Sequence, residues 1–383
     1  MTFGTVCAES FDDFKKQNMG GFDSSKSEFS SYKRDIEKSF ETYKKIVEEE
    51  FQAYKENISK NWDDVEVSTP HKWVEYLNRY RARKTVDYEK GEIIVDVIGA
   101  ASKDDVTPLV KDLLLEDAAT AFRRDPVAFN TEKRLRQAEP DAATSKVSPA
   151  QVVSGLFSDK KLNNNTAQNL AQKLINNSIV SSKPSKKAGQ NVLSVSIKLP
   201  KDRYKKAAEK VLPFVKRYSG EYKIDKSLIM SVIYNESRFN PMAKSYVPAY
   251  GLMQIVPKSA GIDAIKLIEG RKRILSPSYL YNPENNVKVG SAYLHILYYR
   301  YFKDVKDPLS RLYCSVAAYN TGAGNVAYAF NVSSSAGRYN LRKALPKINA
   351  VSPSEVYKTL RRNLRYDEAK HYLKNVTGKM KDY

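Results

Sequence analysis

Between Asp225 and Ile255 the chain reads DKSLIMSVIYNESRFNPMAKSYVPAYGLMQI, and one residue in it, Glu236, is placed for acid chemistry. Asp225 is a candidate N-cap, and Ile229, Val232 and Ile233 recur at the spacing of one helix face. Glu236 continues that face, three residues after Ile233 and four after Val232, which turns its carboxyl towards the core. Burial disfavours a charged carboxyl, raises its pKa and lets it stay protonated as a general acid. Asn235 and Ser237 flank it with hydrogen-bonding groups, and Asn240-Pro241 ends the helix. Alone, an Asn-Glu-Ser tripeptide at a helix end is more often a cap or an ion-pair partner, so the context has to decide. A second polar group arrives in the same way. Pro308 opens a helix lined on one side by Leu309, Leu312, Tyr313, Val316 and Ala317, and Asn320 extends that stripe before Thr321-Gly322-Ala323-Gly324 stops it. An amide on an apolar stripe requires a partner.

The elements that must carry these groups divide the chain into two parts. From Val192 onward an alternating strand (Val192 to Leu199) leads into helical pattern: a run from Pro200 through Tyr218 that contains Pro213, then a helix after Asn282-Pro283. On the latter, Val289, Ala292, Tyr293, Ile296 and Leu297 share a face and His295 points off it towards solvent. The first part begins with a lead without periodicity. A long helix follows, on which Phe29, Tyr32, Ile36, Phe40, Tyr43, Val47, Phe51, Tyr54 and Ile58 keep one stripe by an 11-residue repeat, a core face or a face for a partner. Thr85 to Tyr88 and Glu92 to Ile98 read as strands joined by Glu89-Lys90-Gly91. Helical segments are expected near Val106 to Arg124, Ser148 to Phe157 and Thr166 to Asn176, and a Ser- and Lys-rich linker at Ser181 to Gly189. The expectation is an α+β chain: a flexible lead over 1–20, a smaller α+β accessory domain with its linker over 21–189, and a mainly α-helical catalytic domain over 190–383.

Composition narrows the partners. Lys and Arg number 64 against 44 Asp and Glu, a formal net charge of +20 over 383 residues, which favours nucleic acid, anionic lipid surfaces or acidic wall polymers. Nucleic acid is disfavoured, because the aromatics lie on helical stripes and no helix-turn-helix or finger pattern occurs. No apolar run approaches the ~18 residues of a membrane-spanning helix. The first residues, MTFGTVCAES, have neither the basic nor the apolar region of an export signal. Cys7 and Cys314 provide neither a disulfide framework nor a metal cluster, and Cys314 reads as core packing. His71, His295 and His371 are far apart in sequence, so no metal and no cofactor are expected.

Glu236-Ser237, Tyr250-Gly251-Leu252-Met253-Gln254-Ile255 and Ala318-Tyr319-Asn320-Thr321-Gly322, in that order and spacing, resemble the soluble-lytic-transglycosylase type of lysozyme-like domain. The resemblance spans roughly 196–376 and takes in Phe239-Asn240-Pro241, Asn282 to Leu294 and Glu368 to Tyr372. The first half, with its long helix and WVEYLNRYRARKTVDYEKGEIIVDVIG from Trp73, resembles the accessory domain of membrane-bound members. This implies a lysozyme-like fold and cleavage of peptidoglycan between N-acetylmuramic acid and N-acetylglucosamine without water, leaving anhydro-muramoyl ends. Glu236 would be the catalytic acid, then the base. Ser237, Ser245, Tyr250, Gly251, Met253, Gln254, Tyr319, Asn320 and Tyr372 would be substrate-binding.

Within that set Ser237 would position the acid or simply cap the helix. Gly251 would let the backbone approach the sugar, Met253 would pack on a sugar face or in the core, and Gln254 would bond acetamido or hydroxyl groups. Tyr319 and Asn320 would orient the acetamido group or Glu236. Tyr372 takes the place of a late family tyrosine, although Asp367-Glu368-Ala369-Lys370-His371-Tyr372 follows the Glu-Thr-Arg-x-Tyr pattern only loosely. A standard glycosidase uses two carboxyls, whereas the motif region holds only Glu236 until Asp263, which suits attack by the sugar's own acetamido group.

The implied partners are peptidoglycan glycan strands, an outer membrane reached through a lipid anchor, and other cell-wall enzymes, but no nucleic acid; the implied location is the periplasm. Cys7, in Gly4-Thr5-Val6-Cys7, departs from a lipobox, so the expectation is an exported chain whose signal has been removed or misread. The rival readings are a goose-type lysozyme-like muramidase that uses water and a non-catalytic wall-binding protein.

Overall fold

The computed structural model describes residues 26–332 and 337–383, with side chains from residue 41 onward; the expected lead over 1–20, and Cys7 in it, lie outside the described residues. Helix α1 (Lys26–Ser59) carries the aromatic stripe, and Tyr43, Val47, Phe51, Tyr54 and Ile58 are all buried. The stripe is therefore core in the described stretch. It lies against α4 (Pro126–Ala138), where Glu50 accepts from Asn130 Nδ2 and Arg134 Nη1, each at 2.9 Å.

A five-stranded antiparallel sheet follows, built from β1 (Lys72–Leu77), β2 (Ala82–Asp87), β3 (Glu92–Ile98), β4 (Ile179–Pro184) and β5 (Asn191–Lys198), in the order β1-β2-β3-β5-β4. The expected β2–β3 hairpin is present. Gly91 takes φ +71° at its turn, and Asp87 Oδ1 accepts the Lys90 N–H at 2.8 Å. Strand β1 was not expected, because Trp73, Val74 and Glu75 are buried in succession where a strand signal would alternate. Ser181 to Gly189 is not a linker: it is the second half of β4 and the turn into β5. β4 is an edge strand exposed at every residue, so its composition is that of a solvated loop. β5 alternates as expected, with Leu193, Val195 and Ile197 turned inward, but it pairs with β3 and so completes the accessory sheet.

The segment 106–124 forms two helices, α2 (Thr107–Leu115) and α3 (Ala118–Arg124), because Asp117 caps a new helix through the Thr120 N–H. The polar α4 escaped the periodicity reading. Over 148–157 only a short 3₁₀ turn forms, and α5 (Asn164–Asn176) is as expected. Lys84 on β2 is only 1% exposed and lies inside a carboxylate cluster: Nζ is 2.9 Å from Asp112 and 2.6 Å from Glu116 and contacts Glu75.

The remaining chain is helical: α6 (Arg203–Tyr222), α7 (Lys226–Ser237), α8 (Ile262–Glu269), α9 (Pro277–Leu280), α10 (Pro283–Ile296), α11 (Pro308–Thr321), α12 (Ala323–Phe330), α13 (Leu341–Asn349), α14 (Pro353–Asn363) and α15 (Asp367–Lys379). Asn282 and Asp307 cap α10 and α11 ahead of their prolines, and Gly322 ends α11 at φ +85°. α7 packs on α6 and α15, and α11 packs on α15. The two halves share one hydrophobic core, which runs from Tyr43 and Val86 to Val376. Overall the protein is α+β, with a helical C-terminal half beside the smaller sheet-containing half.

Candidate active site

Helix α7 delivers the acid. Asp225 Oδ1 accepts the Ser227 N–H at 2.7 Å, and Leu228 to Ile233 are buried without interruption. The helix stops where Arg238 (φ +52°) and Phe239 (φ +63°) turn left-handed in succession, with Glu236 in the last turn. Carbonyls of a last turn have no partners within the helix. Here the accessory half provides one: His71 Nε2 donates to the Asn235 carbonyl at 3.0 Å. Beside it Arg238 Nη2 bonds Glu89 at 3.0 Å, and Asn240 Nδ2 donates to the Pro70 carbonyl at 3.1 Å. Burial, and then the Arg238 charge, hold the His71 imidazole below its ordinary pKa, which favours a neutral ring with its proton on Nε2.

Glu236 is half-buried and lines the wall of a cavity. Burial pushes its pKa to about 8; the Tyr372 phenol opposes the shift and the Glu368 charge adds to it. The Tyr372 hydroxyl faces the carboxyl but falls short of an aligned hydrogen bond, and it has no other partner. Glu236 is therefore neutral near pH 7 and able to give a proton.

A cavity of about 580 Å³ opens on Glu236 and brings together Ser245, Gln254, Tyr319, Asn320 and Tyr372. Asn320 Nδ2 donates to Glu368 Oε1 at 3.4 Å, so the amide oxygen is left for another group. Gln254, at φ +46°, ties Nε2 to the Gly251 carbonyl at 3.1 Å while its buried Oε1 has no partner. An unpartnered buried acceptor in a cavity wall is ready for a donor such as an acetamido N–H or a hydroxyl. Tyr319 lends its ring, because its hydroxyl donates to the Met253 carbonyl at 2.9 Å. Ser245 Oγ shapes its own loop, bonding the Val247 carbonyl and accepting the Ala249 N–H.

Four expected substrate residues lie away from the cavity. Ser237 Oγ is buried and donates to the Ile233 carbonyl at 3.0 Å. Tyr250 bonds the Tyr43 hydroxyl at 3.1 Å and packs on Tyr281. Gly251 serves a close approach of chain to chain: a Cβ there would be 2.3 Å from Asn286 Nδ2 and 2.4 Å from the Leu280 carbonyl, at φ +75°. Met253 is fully buried against Gly290. Tyr250, Gly251 and Met253 build the frame that fixes Gln254, since Asn286 accepts the Met253 N–H at 2.8 Å and donates to the Tyr250 carbonyl at 2.8 Å.

Several cavity residues went unrecognised in the sequence. Glu368 is a second carboxyl, far from Glu236 in the chain and brought in by α15. Phe51, Lys55, His71, Asp87 and Glu89 come from the accessory half, and no local pattern in the chain links them to α7. Among the described residues one carboxylate trio, Glu75, Asp112 and Glu116, has the spacing to hold a metal ion, but the Lys84 ammonium fills it. Such a trio neutralised by a lysine does not suit a cation.

Comparison with known proteins follows the same two halves. Residues 37–210 match the family model of the membrane-bound lytic murein transglycosylase C N-terminal domain, and residues 213–341 match that of the transglycosylase SLT domain. The two models meet within α6, beyond β5. The chain is similar to the membrane-bound lytic murein transglycosylase C of Photorhabdus laumondii, 32% identical over 328 residues covering 84% of each chain. The protein of the same name from Pectobacterium atrosepticum is 31% identical over 327 residues, covering 84% of this chain and 85% of that one. Among solved structures, the 70 kDa soluble lytic transglycosylase of Escherichia coli overlaps 73% of this chain and 42% of its own, at 17% identity and a TM-score of 0.34.

Proposed function

The chain belongs to the membrane-bound lytic murein transglycosylase C family, and from that premise we propose that it cuts the N-acetylmuramic acid to N-acetylglucosamine bond of peptidoglycan without water, with Glu236 as acid and then base. The observation that carries this reading is the neutral Glu236 carboxyl in a cavity with Asn320, Gln254 and Tyr372. Glu236 gives its proton to the glycosidic oxygen as the C1–O bond breaks, and the acetamido oxygen of the muramoyl residue bonds to C1. The C6 hydroxyl of the same residue then attacks C1 and displaces the acetamido oxygen, and its proton returns to Glu236. Nothing is consumed besides the strand, and the acid is restored. The free Gln254 Oε1 and the Asn320 amide oxygen are the candidate acceptors for the sugar's N–H and hydroxyls, while Tyr372 steadies the carboxylate during the base step.

Mass spectrometry of soluble products from purified peptidoglycan tests the reading. Anhydro-muramoyl ends, one water lighter than reducing ends, are expected and should vanish in Glu236→Gln. Glu368 in the cavity supports a second reading, in which it activates water; reducing ends would establish that muramidase instead.

His71 acts in this scheme as a positioning residue. His71→Ala leaves the Asn235 carbonyl without its donor and loosens the turn that holds Glu236, so turnover should fall about tenfold with KM little changed. His71→Gln, whose amide N–H can reach the same carbonyl, should restore most of it. Equal kcat for wild type and His71→Ala would remove His71 from the mechanism.

Among the described residues no helix is long and apolar enough to cross a membrane. A wall-strand substrate and relatives named membrane-bound support a periplasmic enzyme held at the outer membrane by a lipid on a cysteine near the N-terminus. The net charge of +20 suits anionic wall strands and lipid head groups.

A further inference from the structure

The accessory half places in the cavity a cation for which the cleavage chemistry has no use. Lys55 lies one turn beyond Phe51 on α1, and its ammonium stands 4.8 Å from the Phe51 ring centroid and 5.1 Å from that of Tyr246. The two rings meet edge to face at 5.4 Å, and Tyr246 is 61% exposed, on the loop that carries Ser245. Other cations of the same wall are neutralised: Lys72 pairs with Glu66 at 2.7 Å and Arg238 with Glu89 at 3.0 Å. Among the described residues no carboxylate lies within ion-pair distance of Lys55. An ammonium in a cavity wall, set over two aromatic rings and lacking a counter-ion, is a preformed site for an anion.

The chemistry of the substrate says which anion. The glycan backbone presents hydroxyls and acetamido groups, all neutral, and the lactyl carboxyl of the muramoyl residue is tied up as an amide to the peptide stem. The negative charge near a cleavage point therefore lies on the carboxylates of that stem. We propose that Lys55, seated against Phe51 and Tyr246, binds a stem carboxylate of the muramoyl residue being cut, so that the accessory helix α1 selects strands that carry charged peptides. The inference rests on the transglycosylase reading above. It gives the accessory half a part in choosing the substrate as well as in holding α7.

The test uses the full chain on two preparations of one peptidoglycan: native strands, and strands whose stem carboxylates have been converted to amides by carbodiimide and ammonium. For the wild type, amidation should lower kcat/KM about tenfold, the size of one charge-assisted contact. Lys55→Met, which keeps the apolar stem against the rings, should lose the same factor on native strands and lose nothing more on amidated ones. Lys55→Arg should keep the preference for native strands. The proposal is overturned if Lys55→Met retains the wild-type ratio between the two preparations, or if it loses activity on both alike. Binding of a soluble stem-bearing muropeptide to Glu236→Gln protein, with and without Lys55→Met, reads the same contact without turnover. That arm separates failure of the Lys55 contact from failure of the reaction, since a wild type that releases no anhydro ends overturns the reaction alone.

Discussion

Glu236→Gln is expected to lower release of anhydro-muramoyl products by roughly a thousandfold or more, while the variant folds at least as well as the wild type. The loss follows from removing the proposed proton donor: a positioned general acid contributes on the order of 10²–10⁴-fold, and in the proposed mechanism the same group also serves as the base. The gain in stability follows from linkage. The folded-state pKa of Glu236 is about 8, above the ordinary value of 4.5, so the folded protein holds this proton more tightly than the unfolded chain does. The carboxyl is therefore without penalty below about pH 4.5 and costs stability increasingly as pH rises from there to about 8. Above that the full shift corresponds to roughly 3–5 kcal/mol, nearer the lower figure because Glu236 is only half-buried. Glutamine removes this cost, so urea unfolding at pH 8.5 should show the variant more stable and at pH 4.5 the two proteins alike. The rate should show the same group. Activity should hold up to about pH 8 and then fall about tenfold per pH unit as Glu236 ionises. Substantial cleavage by Glu236→Gln, or a rate unchanged through pH 9, would move the acid role elsewhere in the cavity.

Lys84→Met should destabilise the protein by about 3 kcal/mol at pH 8. The ammonium is the only fully buried cation among Glu75, Asp112 and Glu116, and Glu75 and Glu116 are themselves almost inaccessible. Removing one member of a buried ionic cluster leaves its partners charged in a poor solvent, which typically costs about 3–5 kcal/mol. Arg124 remains 3.2 Å from Glu116 and 2.8 Å from Asp112 and partly compensates, hence the lower figure. The loss should shrink in acid. Burial pushes Glu116 to about 8 against the attraction of Lys84, so without the lysine it takes up a proton more readily still, and a neutral acid needs no counter-ion. Thermal unfolding of wild type and variant at pH 5.5 and 8 measures this, and a deficit that is small or independent of pH would show that Arg124 and the protein dipoles suffice. Activity is expected to follow stability, because Lys84 on β2 pairs with Glu75 on β1, the strand that follows His71 in the chain.

How much of this could be read from the chain depends on the range of the interactions. The α1 stripe, the Asp225 cap, the helices that start at Pro283 and Pro308 and the β2–β3 hairpin were legible because each is set by neighbours a few residues apart. β4 and α4 were not: one is exposed throughout and reads as a linker, and the other is polar on most faces. The Ser237, Gly251 and Met253 motif positions were visible, but a motif does not say whether a residue touches the ligand or supports the one that does. Here Gly251 and Met253 support Gln254, because Asn286 claims their backbone and space.

The sequence by itself determined how Glu236 is delivered, at the end of a helix capped by Asp225. An apolar face that recurs every three or four residues forces Glu236 inward, and a carboxyl forced inward must become a weak acid. Only the tertiary structure decided what surrounds it. Glu368 reaches the site through α15 and bonds Asn320, His71 crosses from the accessory half to the last turn of α7, and Lys55 brings an unpaired charge to the cavity from a helix some 180 residues earlier in the chain. None of these is a local event. Each depends on three-dimensional packing that brings the two halves together and that no stretch of the chain encodes alone.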